Sequence, residues 1–324
     1  MKKRHLVVIA WAAALGAALV PSVQAQTWPA GTVRIIVPFA PGALTDLAAR
    51  NIAAELSVQS GQQFVVENKG GAGGTIGTAE VAKAKPDGTT LVFTDSSLTI
   101  SPGLYGKLPY DVQKDLTPIT MAVEAPAILV ARTQLGVKTL KELVERARSK
   151  PNSLTFGSGG QGSSAHLAGE VFFGQVGLQL THIPFKGVAA ALTDVAGNQI
   201  DMAFSSLGGA SGHIRGNRVV PMALSGATRS ATFPDIPTFA ELGYPQYDVV
   251  YRFGLLGPAG MSPSMVKTLQ DGVATAVQTP KLKAFLDAQG AVAIRIDGPR
   301  FGEEIARELK MWKAAIDRAG VKAQ

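Results

Sequence analysis

Short runs of β-branched residues followed by segments of helical periodicity repeat along most of this chain, and this alternation limits the possible folds more than any other feature. Val33–Val37 is a compact β-branched run that ends at a proline. Beyond it, apolar residues recur at every fourth position, namely Leu44, Ala48, Ile52 and Leu56. That spacing is typical of a helix with one buried face. Strands alternating with helices of this length predict parallel β-α-β units with helices on both faces of the sheet.

Later segments continue the alternation. Strands are predicted over residues 63–67, 90–93, 128–131, 154–156, 178–183, 202–205, 219–225, 249–256 and 292–296. Helices are predicted over residues 75–85, 140–147, 163–176 and 188–196, with one more on each side of the last strand in the tail from 263 to 323. Thr45 or Asp46 is expected to cap the first helix.

Length predicts two domains, or three small ones, and the composition excludes disulfide bonds. The chain has 324 residues, of which 46% are hydrophobic and 17% charged. It can therefore bury a sizeable core, and a domain usually takes roughly 100–200 residues. Cysteine is absent, which excludes thiolate catalysis and cysteine-ligated zinc or iron–sulfur sites.

Residues 1–25 are typical of a secretory signal peptide. Lys2, Lys3 and Arg4 precede an uninterrupted apolar run over residues 6–20, and small residues surround a cleavage point after Ala25. The run is shorter than the ~20 residues that span a bilayer. Removing the segment lowers the formal net charge from +7 to +4, because three basic residues and no acidic ones are lost. The remaining basic residues are scattered and do not indicate nucleic-acid binding.

Three glycine-rich turns, at residues 41–42, 70–74 and 157–162, each connect a predicted strand to a predicted helix. Glycines let backbone N–H groups converge, and the N-terminus of the following helix favours a carboxylate or phosphate. Small turn residues are also what any α/β sheet requires. Because the carboxyl ends of parallel strands meet at one edge, where open α/β folds place ligands, the turns predict a cleft lined by backbone donors.

Enzymatic interpretations of the third turn have weaker support. Residues 157–162 match G-x-G-x-x-G, but no acidic residue follows where a dinucleotide site needs one for the ribose hydroxyl. Ser163 or Ser164 with His166 resembles the G-x-S-x-G elbow of serine hydrolases, although His166 replaces the last glycine. A secreted serine hydrolase therefore stays open as the alternative function.

The remaining histidines, aspartates and aromatic residues are more typical of structural roles than of a reactive site. The three histidines beyond the leader lack the spacing of a metal site, so no metal is expected. Aspartates near strand or helix ends are most often cap or turn residues, which here applies to Asp46, Asp95, Asp194 and Asp201. Some aromatic residues would either frame a small ligand or pack in the core, namely Phe39, Phe185, Tyr251 and Phe253.

Six segments carry a family resemblance. They read VRIIVPFAPGALTD (33–46), ENKGGAGGTIGTAEVAKAKPDGTTL (67–91), SPGLYGKLPYDVQKDLTPI (101–119), GSGGQGSSAHLAGE (157–170), IPFKGVAAALTDVAGNQID (183–201) and FPDIPTFAELGYP (233–245). Together they resemble the Bug-type (Bordetella uptake gene) solute-binding proteins of tripartite tricarboxylate transporters. The resemblance implies a type II periplasmic-binding-protein fold, with two α/β lobes joined by two crossing strands and a cleft between them. Residues 27–126 with 252–324 would form the first lobe and residues 127–251 the second.

Members of that family bind small carboxylates or related organic solutes without chemistry, and pass them to large and small integral-membrane subunits of a transporter. The resemblance therefore implies an exported periplasmic receptor, monomeric and without a cofactor. Carried over by position, the ligand contacts in the first lobe would be Phe39, Pro41, Gly42, Ala43, Leu44, Thr45, Gly73, Thr94 and Ser97. In the second lobe they would be Ser158, Ser163, Ser164, Phe185, Lys186 and Gly187.

Two departures from the family pattern bear on the ligand. The family commonly has Gly-Gly-x-Thr-Asp in the first loop, where this chain has Ala43 and Leu44, and a leucine there would restrict the pocket or favour a more apolar ligand. The family also tends to have proline near residues 189–190, which are alanines here, and often tryptophan near Tyr251. The solute, the ordered waters around it, and the choice between transport and presentation to a signalling protein do not follow from the sequence.

Overall fold

The computed structural model describes residues 28–29, 31–247 and 249–319, and the predicted signal peptide lies outside them. Within this range the strands are β1 (Val33–Val37), β2 (Phe64–Asn68), β3 (Thr90–Thr94), β4 (Leu116–Arg132), β5 (Thr155–Ser158), β6 (Thr181–Pro184), β7 (Met202–Ser206), β8 (Val219–Leu224), β9 (Val250–Pro258) and β10 (Val292–Asp297). The α-helices are α1 (Leu44–Ser60), α2 (Thr75–Ala82), α3 (Ser97–Tyr105), α4 (Leu140–Ser149), α5 (Ser164–Gln175), α6 (Val188–Ala196), α7 (Leu207–Arg215), α8 (Pro263–Ala276), α9 (Pro280–Ala288) and α10 (Gly298–Ala319).

Two sets of parallel strands are joined by antiparallel strands. β1 pairs in parallel with β2 and β3, and β5 pairs in parallel with β6 and β7. β4 belongs to both sets: its residues 116–126 pair antiparallel with β9, and its residues 127–132 pair antiparallel with β7 and β8. Hydrogen bonding therefore continues through the order β2-β1-β3-β9-β4-β7-β5-β6.

β1 shows how the predicted pattern becomes a core on both faces of the sheet. Ile35 and Val37 pack into one core together with Ile52 of α1. Ile36 points the other way and packs into a second core with Val81 of α2. Burying each aliphatic side chain of this size contributes about 1.5–3 kcal/mol. The predicted four-residue spacing in α1 is confirmed, since Leu44, Ala48, Ile52 and Leu56 are all buried.

An aromatic cluster anchors α5 in the second strand set. The ring of Phe172 lies 4.8 Å from that of Phe239, which lies 4.4 Å from the ring of Tyr247. The Tyr247 hydroxyl donates to Ala168 O at 3.0 Å. Pairs of this kind contribute about 0.5–1.5 kcal/mol beyond the area they bury, so they anchor α5 to this core.

The structure corrects some predicted elements. The predicted cap of α1 is wrong, because the helix begins after Ala43 and Asp46 lies within its first turn. The sequence patterns missed α3, which contains Pro102, and α7, which begins Leu-Gly-Gly. Both segments have low intrinsic helix propensity, and tertiary packing overrides it.

The tail also differs from the prediction. Among the described residues it holds two helices before β10, α8 and α9, and α10 after it, where one helix on each side was expected. Ser262 and Thr279 each cap a helix whose first residue is proline, and the second of these signals divides α8 from α9. The search of the described residues found no helix with the length and apolar character to cross a bilayer.

Candidate functional site

Helices from both strand sets begin around one cavity. Its inner part, here the inner compartment, has a volume of about 50 Å³. The first residues or N-caps of α1, α5, α6 and α7 form much of its wall. The lining residues are Phe39, Ala43, Leu44, Thr45, Asp95, Gly159, Ser163, Ser164, Ala165, Gly187, Val188, Ser205, Ser206, Tyr251 and Phe253.

A larger space, the outer compartment, has a volume of about 540 Å³ and shares Phe39 and Gly159 with the inner one. The three glycine-rich turns all contribute to it, so their predicted convergence on one cleft is confirmed. A single water takes about 10–15 Å³ of such volume. The inner compartment therefore admits a head group of a few atoms, and a longer ligand would extend into the outer compartment.

Most of the predicted contact residues line one of these compartments. Those at the inner compartment are Phe39, Ala43, Leu44, Thr45, Ser163, Ser164 and Gly187. Those at the outer compartment are Phe39, Pro41, Gly73, Phe185 and Lys186. The predicted residues outside both linings are Gly42, Thr94, Ser97 and Ser158.

Gly42 and Ser158, two of the residues outside both linings, make hydrogen bonds to neighbouring residues. Gly42 has a φ of +96°, and its N–H donates to Asp46 Oδ2 at 3.0 Å. The buried hydroxyl of Ser158 lies 2.7 Å from His182 Nε2. Thr94 and Ser97, the other two, lie before and after Asp95 in the chain. A direct role of these residues in ligand binding stays a prediction.

Asp46 fixes the loop between β1 and α1. Its buried carboxylate accepts hydrogen bonds from Gly42 N–H at 3.0 Å, Arg50 Nε at 3.0 Å and Asn68 Nδ2 at 2.9 Å. Burial alone would raise the pKa of Asp46, but the hydrogen bonds outweigh it and hold that pKa below its ordinary value. The carboxylate stays charged and braces a loop that contributes to both compartments.

The helix N-termini leave backbone donors facing the inner compartment. The N-caps of α1 and α6 are Ala43 and Gly187, which have no side chain able to accept a hydrogen bond. By contrast, Ser163 and Ser206 cap α5 and α7 through their hydroxyls. The first N–H groups of a helix have no partner within the helix, and the helix dipole is positive at that end. Their convergence favours a bound anion.

Sequence reasoning missed polar groups from β7 and the role of Asp95. The Asp95 carboxylate accepts the Ser97 N–H at 3.0 Å, as expected of a turn residue, but it also lines the inner compartment. Burial raises the pKa of Asp95, although hydrogen bonding to Ser97 acts in the opposite direction. Ser205 ends the strand predicted over residues 202–205 and Ser206 follows it, which was the available signal, but the helix after them was not recognised.

Tyr251 and Phe253 combine the two roles proposed for the aromatic residues. Both are buried in the core and both line the inner compartment. Burial, together with the nearby charge of Asp95, raises the pKa of the Tyr251 phenol, which therefore stays protonated. Its hydroxyl has no hydrogen-bond partner among the described residues.

Loops of the two strand sets touch across the outer compartment. The Tyr105 hydroxyl of α3 donates to Gln161 O at 2.6 Å. Gly73 lies so close to the same loop that an added Cβ would stand 2.5 Å from Gln161 O. On the other side, a Cβ on Gly187 would meet Ala40 Cβ at 3.1 Å. The cleft is therefore in a closed form, with direct contacts between its two sides.

The geometry does not support the serine hydrolase alternative. The Ser163 hydroxyl accepts the backbone N–H of His166, while His166 Nδ1 accepts the Gly162 N–H at 3.2 Å. The Ser164 hydroxyl has no hydrogen-bond partner within the described ranges. A nucleophilic serine needs a hydrogen-bonded base, and neither serine has the His166 ring in that position.

His182 should make the protein sensitive to acid. Burial, with a smaller contribution from the adjacent His166, lowers the pKa of His182 from 6.5 to about 3. The folded chain keeps this ring neutral where the unfolded chain takes up a proton, so the free energy of unfolding falls as the pH drops from about 6.5 toward about 3. The slope is at most about 1.4 kcal/mol per pH unit. Urea unfolding between pH 6 and pH 4 should show a shallower slope for His182→Gln, and equal slopes would contradict this account.

These features define a class of protein. Two α/β halves share crossing strands, and their helix N-termini present backbone donors to a closed cleft between them. Neither candidate serine has its base in place. This combination is that of a solute-binding receptor with a periplasmic-binding-protein fold, which encloses a small ligand between two halves.

Comparison with known proteins gives the family. The chain belongs to the tripartite tricarboxylate transporter family of receptors, whose sequence profile matches residues 48–321. It is 33% identical over 308 residues to protein BugT of Bordetella pertussis, covering 94% of each chain. The periplasmic binding protein BugD is 30% identical with a TM-score of 0.88, over 92% of this chain and 100% of BugD. MatC from Rhodopseudomonas palustris, solved with bound malate, is 30% identical with a TM-score of 0.85, over 89% of this chain and 100% of MatC. The predicted family and fold are confirmed, and the protein is a receptor of a periplasmic family and not an enzyme.

Proposed function

We propose that the chain is exported through residues 1–25, captures a small carboxylate in the two compartments, and delivers it to the large and small membrane subunits of a tripartite transporter. The observation that carries this proposal is the convergence of the α1, α5 and α6 N-termini on the inner compartment, with α1 and α6 uncapped by any side chain. Malate bound to the related MatC supports a carboxylate as the ligand. Membership of a family of transporter receptors supports export and delivery.

Capture would proceed by closure of two lobes, residues 27–126 with 252–324 and residues 127–251. Two facts support these boundaries: β4 changes its pairing partners between Pro126 and Ala127, and β9 begins at Val250 beside that change. A hinge at these crossing strands would let the lobes separate. A ligand that contacts donors of both lobes stabilises the closed form, because it loses half of those contacts when the lobes open.

A thermal-shift screen of the chain from residue 26 onward tests this function. The panel would contain di- and tricarboxylates, acidic amino acids and aromatic acids. A ligand at 100 times its dissociation constant adds about 2.7 kcal/mol to the free energy of unfolding, so a carboxylate hit is expected to raise the melting temperature clearly. Folded protein with no shift across the panel would contradict carboxylate capture.

Lys186 should contribute modestly to the affinity for an anion. It lines the outer compartment, is exposed, and forms no ion pair with any residue in the described part of the chain. Because an exposed charge is screened by solvent, Lys186→Met should weaken a carboxylate ligand by about two- to fivefold in calorimetric titrations, and less at high salt. Lys281→Met, which removes an exposed lysine of α9 away from both linings, is the matched control. Equal affinities of the two variants would remove Lys186 from the site.

A further inference from the structure

The charge inside the inner compartment is opposite to what a simple carboxylate receptor needs. Asp95 is the one charged side chain among the described residues that line it. No lysine, arginine or histidine of the described chain forms an ion pair with Asp95, and Lys186 lines the outer compartment instead. A half-buried carboxylate that faces a cavity without a cation is energetically unfavourable, so this site is incomplete as the chain alone presents it.

Three buried hydroxyls at the same compartment also lack partners. Ser164, Ser205 and Tyr251 are 4%, 1% and 4% exposed, and no hydroxyl of the three makes a hydrogen bond within the described residues. All three line the inner compartment together with Asp95. A buried polar group without a partner costs about as much as a lost hydrogen bond, so these hydroxyls indicate that a ligand group completes the site.

An ammonium group has the complementary chemistry. It carries a positive charge and three donors but no acceptor, and the inner compartment offers a carboxylate and hydroxyl oxygens as acceptors. Burial raises the pKa of Asp95, and the positive charge of a bound ammonium group would lower it again. The uncapped N-termini of α1 and α6 at residues 44–45 and 188 remain available for a carboxylate of the same ligand.

Building on the proposed function, we propose that the ligand is an amino-carboxylate whose ammonium group is held by Asp95 and the Tyr251 and Ser164 hydroxyls. Asp95 is then the specificity-determining residue of this receptor. A carboxyl-bearing carbon with its ammonium comprises about five heavy atoms, which suits a compartment of about 50 Å³. The remainder of the ligand would lie toward the outer compartment and Lys186.

Calorimetric titration with matched ligands tests this inference. Aspartate, malate and succinate carry –NH₃⁺, –OH and –H at the same carbon, as do glutamate, 2-hydroxyglutarate and glutarate. A charged hydrogen bond that is gained or lost changes affinity by roughly 10- to 100-fold. In at least one series the native chain should therefore bind the ammonium member at least tenfold tighter than the unsubstituted one. Asp95→Asn should invert this order, weakening the ammonium member and tightening the unsubstituted one.

Asp95→Asn keeps an Oδ1 acceptor for the Ser97 N–H, and melting without ligand checks that it folds. Asp95→Ser, which can also cap this turn, provides a second variant with the same expected inversion. If the native chain binds a carboxylate without preference for the ammonium member, or both Asp95 variants change all members by the same factor, the inference is wrong while the carboxylate receptor stands. If no member of either series and no other carboxylate binds, the proposed function fails and the inference falls with it.

Discussion

Gly73→Ala should weaken carboxylate binding at least tenfold, which corresponds to about 1.4 kcal/mol or more. The added methyl group would stand 2.5 Å from Gln161 O and 3.2 Å from the Tyr105 hydroxyl, so the two sides of the cleft could not close to the observed contact. A ligand held between the lobes would then lose part of its contacts with one of them. Calorimetric titration of the best ligand from the screen measures the loss.

Gly61→Ala is the matched control for this variant. Gly61 and Gly73 have nearly the same φ, +67° and +63°, but a Cβ on Gly61 would have nothing within 4 Å. Both alanines should therefore lower the free energy of unfolding by about 1–2 kcal/mol through the left-handed backbone alone. Gly61→Ala should keep native affinity. Equal affinities of the two variants would show that closure does not depend on the Gly73 contact.

Asp46→Asn should destabilise the free protein by about 3 kcal/mol and also weaken ligand binding. The carboxylate is 2% exposed and receives three hydrogen bonds, from Gly42, Arg50 and Asn68. An asparagine amide accepts through one oxygen and would direct its own N–H groups at these donors. The loop between β1 and α1 would lose its brace, and that loop contributes to both compartments. Urea unfolding and calorimetry measure the two effects.

Asp271→Asn is the control for Asp46→Asn. Asp271 also pairs with a cation four residues away on its helix, but its side chain is 51% exposed. Exposed pairs of this type contribute about 0.3–0.5 kcal/mol, so this variant should remain close to the native protein in both measurements. If Asp46→Asn were equally mild, the loop would not depend on its buried carboxylate.

The parts of the fold that could be predicted are those with a local cause. The spacing of Leu44, Ile52 and Leu56 identified α1 because the same face of a helix meets the sheet every fourth residue. The glycine-rich turns identified the cleft because parallel strands must end at a common edge. The antiparallel pairing of β4 with β9 joins residues more than one hundred positions apart, and no local pattern carries that information.

The site was predictable in its backbone part and not in its polar interior. The first loop and the N-terminus of α5 were anticipated, since turn composition and family resemblance both mark them. Asp95 and Ser205 were not, because each looks like an ordinary strand-end residue until β3 and β7 are brought to one cavity. Among the described residues Ser205 lacks a hydrogen-bond partner and Asp95 lacks a cation, and such absences are visible only in three dimensions.

A crystal structure of the mature chain with the best ligand from the screen tests the central claim most directly. The account predicts that a carboxylate oxygen of the ligand lies about 2.7–3.2 Å from the backbone nitrogen of Leu44, Thr45 or Val188, at the inner compartment and between the two strand sets. It also predicts that Gly73 and Gln161 stay in contact in this complex. A ligand bound outside both compartments, or held by one strand set with the cleft open, would contradict it.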